Sequence, residues 1–188
     1  MKKLVLTITL FTGIFGCGTC PEYDGFYFDI NGLVIFNMEK RSPNARFGVD
    51  EGTNLEFKNH SFTISYTANY YSLNEINNIG LISSALATSC SYSGEGGSQE
   101  YLDTLVVTTN FDIDEQHLKG ESINDIILYN GKVLNSFLAT DSIEIPHQTF
   151  SLELTQKPEL DNSLSINILV KLLNGEEYTA TSERVFIK

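Results

Sequence analysis

The chain has 188 residues, of which 41% are hydrophobic, and its formal net charge at pH 7 is −12. This length predicts a single domain. The excess of carboxylates excludes nucleic acid as a partner, because phosphate backbones need Lys and Arg counter-charges. The same charge argument disfavours direct binding to anionic lipid head groups.

Residues 1–17 have the pattern of a bacterial lipoprotein signal. Lys2 and Lys3 precede an apolar run that is shorter than the roughly 20 residues a bilayer span needs, and Ile14-Phe15-Gly16-Cys17 has the form of a lipobox. We therefore expect residues 1–16 to be a signal peptide and the Cys17 thiol to be lipidated, which would anchor the chain to a membrane. Cleavage before Cys17 would leave 172 residues and a net charge of −14, since Lys2 and Lys3 are removed. The alternatives are an ordinary secretory signal cut nearby and, less favoured, an apolar N-terminal helix retained in a cytosolic protein, which would expose a large apolar patch to water.

The expected mature chain divides into a short tether and a folded domain. Residues 17–25 contain Gly18, Pro21 and Gly25 and predict a lipidated tether, and residues 26–188 predict the domain. The apolar stretch 26–38 is interrupted around Asn31-Gly32, which predicts two strand segments joined by a kink or bulge.

The next four segments differ in composition. Residues 39–54 are polar with Pro43 and two glycines, which predicts a loop, whereas residues 59–71 alternate between apolar and polar side chains, which predicts a strand with one buried face. Residues 72–89 fit either a helical turn or an extended segment. Residues 92–99 are rich in Gly and Ser and predict a flexible loop.

The second half of the chain is predicted to consist mainly of strands. Residues 102–111 are a dense β-branched run, typical of a central strand, while residues 121–128 favour one or two helical turns with Ser122 as the N-cap, ended by Asn130-Gly131. Four further strands are predicted at residues 142–145, 149–154, 164–172 and 176–187.

The hairpin between the last two long segments has a predictable register. A two-residue turn at Asn174-Gly175 would place Tyr178 beside Lys171, on the polar face. A three-residue loop, with Gly175 in the left-handed conformation, pairs Val170 with Tyr178 and so matches apolar side chains. We predict the three-residue loop.

Together these elements predict an all-β fold, an antiparallel Ig-like β-sandwich with long loops and one or two short helical turns. Short strands recur about every ten residues with turn residues between them, which favours a sandwich over an α/β fold. The chain has no Trp, so the Cys, Trp, Cys hallmark of antibody domains is absent and Ig-like describes the architecture alone.

Several stretches of the mature chain resemble one group of bacterial proteins. They are Cys17 with Cys20 soon after it, Ala87-Thr88-Ser89-Cys90 before the Gly-rich loop, the run from Leu105 to Asp112, and residues 172–176. In this order they are similar to Bacteroidetes-type envelope lipoproteins that carry a β-sandwich domain of unknown function. The resemblance implies an envelope location and a sandwich fold, and it implies no catalytic residue.

Catalytic and metal-binding motifs are absent from the sequence. The three histidines, His60, His117 and His147, lie far apart and are expected in surface loops or at strand ends. Asp112 and Asp114 would share one face of a strand and could offer oxygen ligands to Ca²⁺, but a solvated strand end is the preferred interpretation. No catalytic residue, metal or cofactor is therefore predicted.

Two groups of aromatic residues offer a further alternative. They are Tyr23, Phe26, Tyr27 and Phe28 in the first group, and Tyr66, Tyr70 and Tyr71 in the second. They could form a platform for stacking sugars, but the period-two spacing and the absence of Trp favour packing in the core and at sheet edges.

The remaining two cysteines are predicted to form a disulfide. Export would place the chain in an oxidising compartment, and lipidation of Cys17 would leave only Cys20 and Cys90. Their bridge would close a loop of 71 residues, which is worth about 4 kcal/mol in the chain-entropy model. The alternative is a buried Cys90 thiol and a free Cys20.

Two functional hypotheses follow from these observations. The first is a non-catalytic lipid-anchored envelope protein, expected at the outer membrane, that binds a protein or glycan through sandwich loops or edges. The membrane face is left open. The second is an envelope hydrolase whose site is assembled from distant residues, with His60, His117 and His147 as the candidates to test.

Overall fold

The structure is a computed structural model, and it describes residues 26–42, 45–72, 96–139 and 143–188. These ranges form an all-β fold of mainly antiparallel sheets, which confirms the predicted sandwich class. The strands are β1 (Phe26–Ser42), β2 (Ala45–Gly48), β3 (Asn54–Leu55), β4 (His60–Ser72), β5 (Tyr101–Thr109), β6 (Ile127–Tyr129), β7 (Lys132–Val133), β8 (Ile143–Glu144), β9 (Thr149–Leu154), β10 (Ser163–Leu164), β11 (Ile166–Leu172), β12 (Glu177–Thr181) and β13 (Val185–Ile187). A 3₁₀ turn spans Phe57–Asn59, and helix α1 spans Leu134–Leu138.

The strands belong to three sheets. The largest has the order β2-β1-β4-β9-β6-β7, the second has the order β12-β11-β5-β8, and the smallest has the order β10-β13-β3. The β13–β3 pair is parallel, and the other strand pairs are antiparallel. None of the helices in the described ranges has the length and apolar character needed to cross a membrane.

The core lies between the inner faces of the two larger sheets. On β11, alternate residues are buried, and they face the interior beside the buried side chains of β5. The six-stranded sheet contributes its own alternating set from β1, β4 and β9. The core side chains of these strands include Ile166, Ile168, Val170 and Leu172 on β11, Leu105 and Val107 on β5, and Phe28, Ile35, Phe62, Ile64 and Leu152 on the opposite sheet. Each contributes about 1.5–3 kcal/mol of hydrophobic free energy.

The predicted interruption of the first strand is confirmed as a β-bulge. The β1–β4 register pairs Ile30 with Ala68 but Gly32 with Thr67, so Asn31 is the extra residue. A Cβ atom at position 32 would clash with the Thr67 hydroxyl oxygen, so a larger residue there would require the Thr67 side chain to move. Beside the bulge, the Ile30 amide donates to the Glu100 carboxylate at 3.1 Å.

Most of the predicted strands are confirmed, with two subdivided. The predicted segment 164–172 is split into β10 and β11, and the segment 176–187 into β12 and β13. The last hairpin has the predicted register, with Val170 paired to Tyr178, Ile168 paired to Ala180, and Gly175 at φ 92°.

The predicted loop at residues 39–54 is wrong in part. Strand β1 continues to Ser42, and β2 returns beside it as the edge strand of the sheet. The two strands also contact each other through a cation–π pair, because the Arg41 guanidinium lies 5.1 Å from the centre of the Phe47 ring. An edge strand faces water and so tolerates the polar composition that favoured a loop.

The predicted helical turns at residues 121–128 are also wrong. Ser122 forms a β-bridge with Thr108 instead of capping a helix, and β6 begins at Ile127. The cause is Asn124, whose side-chain Oδ1 accepts from the Val107 amide at 2.8 Å and whose Nδ2 donates to the Leu105 carbonyl at 2.8 Å. The Asn124 side chain thus forms the hydrogen bonds that a neighbouring strand would otherwise form with this part of β5. The turn at Asn130-Gly131, with φ values of 49° and 75°, connects β6 to β7.

Candidate functional site: a polar cleft beside strand β8

Strand β8 is a two-residue edge strand with a different concavity on each face. It pairs with the start of β5, so that Tyr101 lies opposite Glu144 and Leu102 lies opposite Ile143. Consecutive residues of a strand point to opposite faces of the sheet. Tyr101 and Glu144 therefore share the outer face, and Leu102 and Ile143 share the face toward the core.

The inner concavity is an aromatic fissure of only about 30 Å³. Four rings line it, and Tyr129 contacts both Phe137 and Phe150, with centroid distances of 4.4 and 5.8 Å. Tyr66 is the fourth ring, and burial together with the nearby Tyr129 raises the pKa of its phenol. A volume of this size holds about one or two water molecules, so the fissure is an imperfection of core packing rather than a ligand site.

The outer concavity, which we call the polar cleft, has a volume of about 360 Å³. It is lined by residues 96–99, Tyr101 and residues 144–146. Typical small-molecule sites enclose about 300–1,000 Å³, so the polar cleft has the size of a small ligand. The side chains of Gln99, Tyr101 and Glu144 are all exposed.

Gly97 allows one wall of the polar cleft to approach β8 closely. Its φ of 76° lies in the left-handed region, and a Cβ atom there would lie 3.1 Å from the Ile145 carbonyl oxygen and 3.2 Å from the Pro146 Cα. The Phe28 amide donates to the Gly97 carbonyl at 3.0 Å, and the Ser98 amide donates to the Ile145 carbonyl at 2.9 Å. The glycine segment thus joins β1 to β8.

The Glu100 side chain holds the glycine segment in place through hydrogen bonds. Its carboxylate accepts from the Ile30 amide and from the Ser98 hydroxyl, each at 3.1 Å, and from the Asn174 side-chain amide at 3.0 Å. Burial raises the pKa of Glu100, and the hydrogen bonds from Ile30 and Ser98 oppose that shift only in part. The Tyr178 hydroxyl donates to the Ile30 carbonyl at 2.7 Å, so side chains cover the edge of β1 at the bulge.

Three polar side chains of the cleft are available to a ligand. The Gln99 amide, the Tyr101 hydroxyl and the Glu144 carboxylate form no hydrogen bond with any residue that the structure describes. Tyr101 is 41% exposed, which leaves a large part of its ring open to solvent. The cleft therefore combines one aromatic ring with an amide and a carboxylate, on a backbone held by hydrogen bonds.

His60 is a buried structural residue. It begins β4, as expected for a strand-end histidine, but it is 7% exposed, so the expectation of a surface position is wrong. The Asn37 amide nitrogen donates to the Glu183 carbonyl at 2.8 Å, which leaves Asn37 Oδ1 to accept from His60 Nε2 at 3.0 Å. Burial lowers the pKa of His60 to about 4, so the ring is neutral at physiological pH.

His117 lies in a loop, as expected, but it is also buried, at 6% exposure. Its Nδ1 lies 2.8 Å from the Asp114 carboxylate and its Nε2 lies 3.0 Å from Asp125 Oδ2, so each ring nitrogen faces a carboxylate acceptor and the arrangement favours the protonated imidazole. Burial acts to lower the pKa of His117, but the hydrogen bonds to Asp125 and Asp114 outweigh it and raise the pKa. The ion pair closes the loop after β5.

The third histidine, His147, is exposed, as the sequence predicts, and lies at the rim of the aromatic fissure. None of the three imidazoles has a Ser or Thr hydroxyl within hydrogen-bond distance in the described ranges. A nucleophile and base pair of the kind that hydrolases use therefore does not occur at these histidines among the described residues.

The two aspartates of the calcium alternative have separate partners. Asp112 Oδ1 accepts from the Lys119 amide at 2.8 Å, while Asp114 accepts from the amides of Gln116 and His117 and from the side chain of Gln156. Across residues 26–42, 45–72, 96–139 and 143–188, no three His, Cys, Asp or Glu side chains are grouped for a metal ion.

The aromatic residues of the sugar-platform alternative are dispersed. Phe28 and Tyr66 are buried in the core, Tyr27 stacks on Tyr71 with centroids 6.0 Å apart, and Tyr70 donates to the Gln148 side chain. The predicted lipidation site Cys17, the predicted disulfide between Cys20 and Cys90, and Tyr23 lie outside the described residues.

Comparison with protein families and with curated proteins assigns no functional residue to this chain. No family model matches the chain, and no curated protein matches it. Sequence reasoning marked the glycine-rich residues 92–99 but did not single out Gln99, Tyr101 or Glu144. The glycine run was a usable signal for a close backbone approach, whereas the pairing of Tyr101 with Glu144 becomes visible only in the folded sheet.

Proposed function

We propose that the protein is a non-catalytic, lipid-anchored protein of the bacterial envelope that binds a protein or a glycan through the polar cleft. The observation that carries the binding role is the cleft itself. Its volume is about 360 Å³, and three exposed side chains, Gln99, Tyr101 and Glu144, are available in it. Exposed polar side chains that bond to none of the described residues, in a concave site of ligand size, are typical of recognition sites.

The proposed anchor rests on the amino-acid sequence. Ile14-Phe15-Gly16-Cys17 supports lipidation at Cys17, and the resemblance to Bacteroidetes-type envelope lipoproteins supports an outer-membrane location. A processed lipoprotein carries two or more acyl chains, which is enough for stable attachment. The non-catalytic assignment is supported by the two buried histidines, since His60 and His117 are committed to Asn37 and to two aspartates.

Labelling and fractionation test the anchor. Cells expressing the full chain are grown with labelled palmitate, and we expect the label on the protein and the protein in the membrane fraction. The Cys17→Ala variant should lose both, while Cys20→Ala, three residues away, serves as the matched control and should keep both. Label that persists in Cys17→Ala would refute lipidation at this residue.

Photo-crosslinking in cells tests the binding role. A photoreactive amino acid in place of Gln99 should give an adduct of increased mass, because Gln99 lines the polar cleft. The same amino acid in place of Glu177, an exposed residue on edge strand β12, is the control and should give none. Absence of an adduct at position 99, or equal adducts at both positions, would refute binding at this cleft.

A further inference from the structure

We infer that the ligand of the polar cleft is a neutral carbohydrate, an inference that rests on the proposed binding function and narrows it. The first argument is size. A stable protein–protein interface buries about 800 Å² on each partner, which is a broad surface. The polar cleft is a concavity of about 360 Å³ lined by eight of the described residues, and this matches one or two sugar rings better than a protein surface.

The second argument is charge. None of the eight described residues that line the cleft is Lys, Arg or His, and one of them is Glu144. Among these residues a phosphorylated or carboxylated ligand would meet a negative charge without a compensating cation, in a chain whose net charge is −12. A ligand with an ammonium group would gain a single exposed ion pair, which contributes little in water. A neutral ligand avoids both difficulties.

The third argument is the set of polar groups. Tyr101 and Glu144 lie directly opposite each other on β5 and β8, and Gln99 lies on the adjoining wall. A carboxylate accepts hydrogen bonds from two hydroxyls at once, and a side-chain amide both donates and accepts, so the two groups complement the vicinal hydroxyls of a sugar. An exposed phenol ring supplies an apolar face for the C–H side of a sugar ring and a hydroxyl at its tip.

Hydrogen bonds already hold the backbone of the cleft in the free protein. The Gly97 carbonyl accepts from the Phe28 amide, and the adjoining Ser98 amide donates to the Ile145 carbonyl. The Glu100 carboxylate is held by the Ile30 amide and the Asn174 side chain. A backbone already ordered in the free protein has little conformational entropy to lose on binding. Within the protein, the ordering cost of binding then falls mainly on the side chains of Gln99, Tyr101 and Glu144.

Saturation-transfer NMR with soluble disaccharides tests the inference. The full chain is solubilised in detergent and titrated with cellobiose, maltose, lactose and N,N′-diacetylchitobiose, and transfer to the ring protons of at least one of them is expected. Tyr101→Ala and Glu144→Gln should each weaken that binding by about tenfold. Phe36→Ala removes an exposed ring on the outer face of the other sheet, and Glu177→Gln removes an exposed carboxylate on β12, so these matched controls should bind as the parent does.

Three results would overturn the inference. They are no transfer to any of the four disaccharides, equal binding by the Tyr101→Ala variant and the parent, and binding that Phe36→Ala weakens as much as Tyr101→Ala does. If the crosslink at position 99 then yields a protein adduct, the carbohydrate inference is wrong while the proposed binding function stands. If position 99 yields no adduct of any kind, the proposed function fails as well.

Discussion

Replacement of Asn124 should destabilise the fold by more than any surface substitution. Asn124 is 6% exposed, and its amide is the hydrogen-bond partner of the Val107 amide and the Leu105 carbonyl at 2.8 Å each. Both partners belong to buried residues of β5. In Asn124→Ala the two backbone groups lose their partners, and each such group costs about 1–3 kcal/mol, so we expect a loss of about 2–6 kcal/mol in the free energy of unfolding.

The Asn124→Asp variant separates hydrogen bonding from shape. A carboxylate has nearly the same shape but cannot donate to the Leu105 carbonyl, whereas the protonated acid can donate there and still accept from Val107. The destabilisation relative to the parent should therefore be large at pH 7 and shrink as the pH falls, while that of Asn124→Ala stays constant. Urea unfolding at several pH values measures both, with Asn69→Ala on the exposed side of β4 as control. A loss below about 1 kcal/mol for Asn124→Ala would refute the reasoning.

Three further predictions concern titration and thiols. The folded pKa of His60 is about 4, so as the pH falls below 6.5 the unfolded chain binds the proton before the folded chain does. The free energy of unfolding of the parent, measured in urea, should therefore fall by about 3 kcal/mol by pH 4, and that of His60→Gln should fall by less. The pKa of His117 is raised, so its contribution is complete below pH 6.5 and is lost as the pH rises through the folded value; His117→Gln should flatten this alkaline decline, and an unchanged slope would contradict the assignment. Alkylation of the denatured, unreduced protein should label neither Cys20 nor Cys90, and two labelled cysteines would exclude the disulfide.

Local patterns were sufficient to predict most of the long strands and one register. The alternation of Ile166, Ile168 and Val170 marks a half-buried strand, and Tyr178 must pair on the same face to be covered, so side-chain matching alone selects the three-residue loop. The bulge in β1 was predictable for a similar reason, because Gly32 interrupts an otherwise continuous apolar run.

Several predictions failed because the local sequence does not indicate which groups a side chain contacts. Residues 121–128 have the local composition of a helix start, but the Asn124 side chain instead bonds the backbone of β5, about 17 residues earlier in the chain. The burial of His60 and His117 was missed because Asn37, Asp114 and Asp125 become their hydrogen-bond partners only in the folded chain, although the two aspartates are near His117 in sequence. The polar cleft was unpredictable on the same ground, since Tyr101 and Glu144 become neighbours only through the β5–β8 register.

Two different groups cover the edge of β5, and this predicts that stability and ligand binding can be changed separately. A long apolar strand with a bare edge invites aggregation, so that edge must be covered along its whole length. β8 covers it at Tyr101 and Leu102, and the Asn124 amide covers it at Leu105 and Val107. Because the cleft lies at the β8 end and Asn124 lies further along the strand, substitutions at the two places should act independently. Asn124→Ala should lower the free energy of unfolding with disaccharide binding intact, and Tyr101→Ala should weaken binding with stability nearly unchanged.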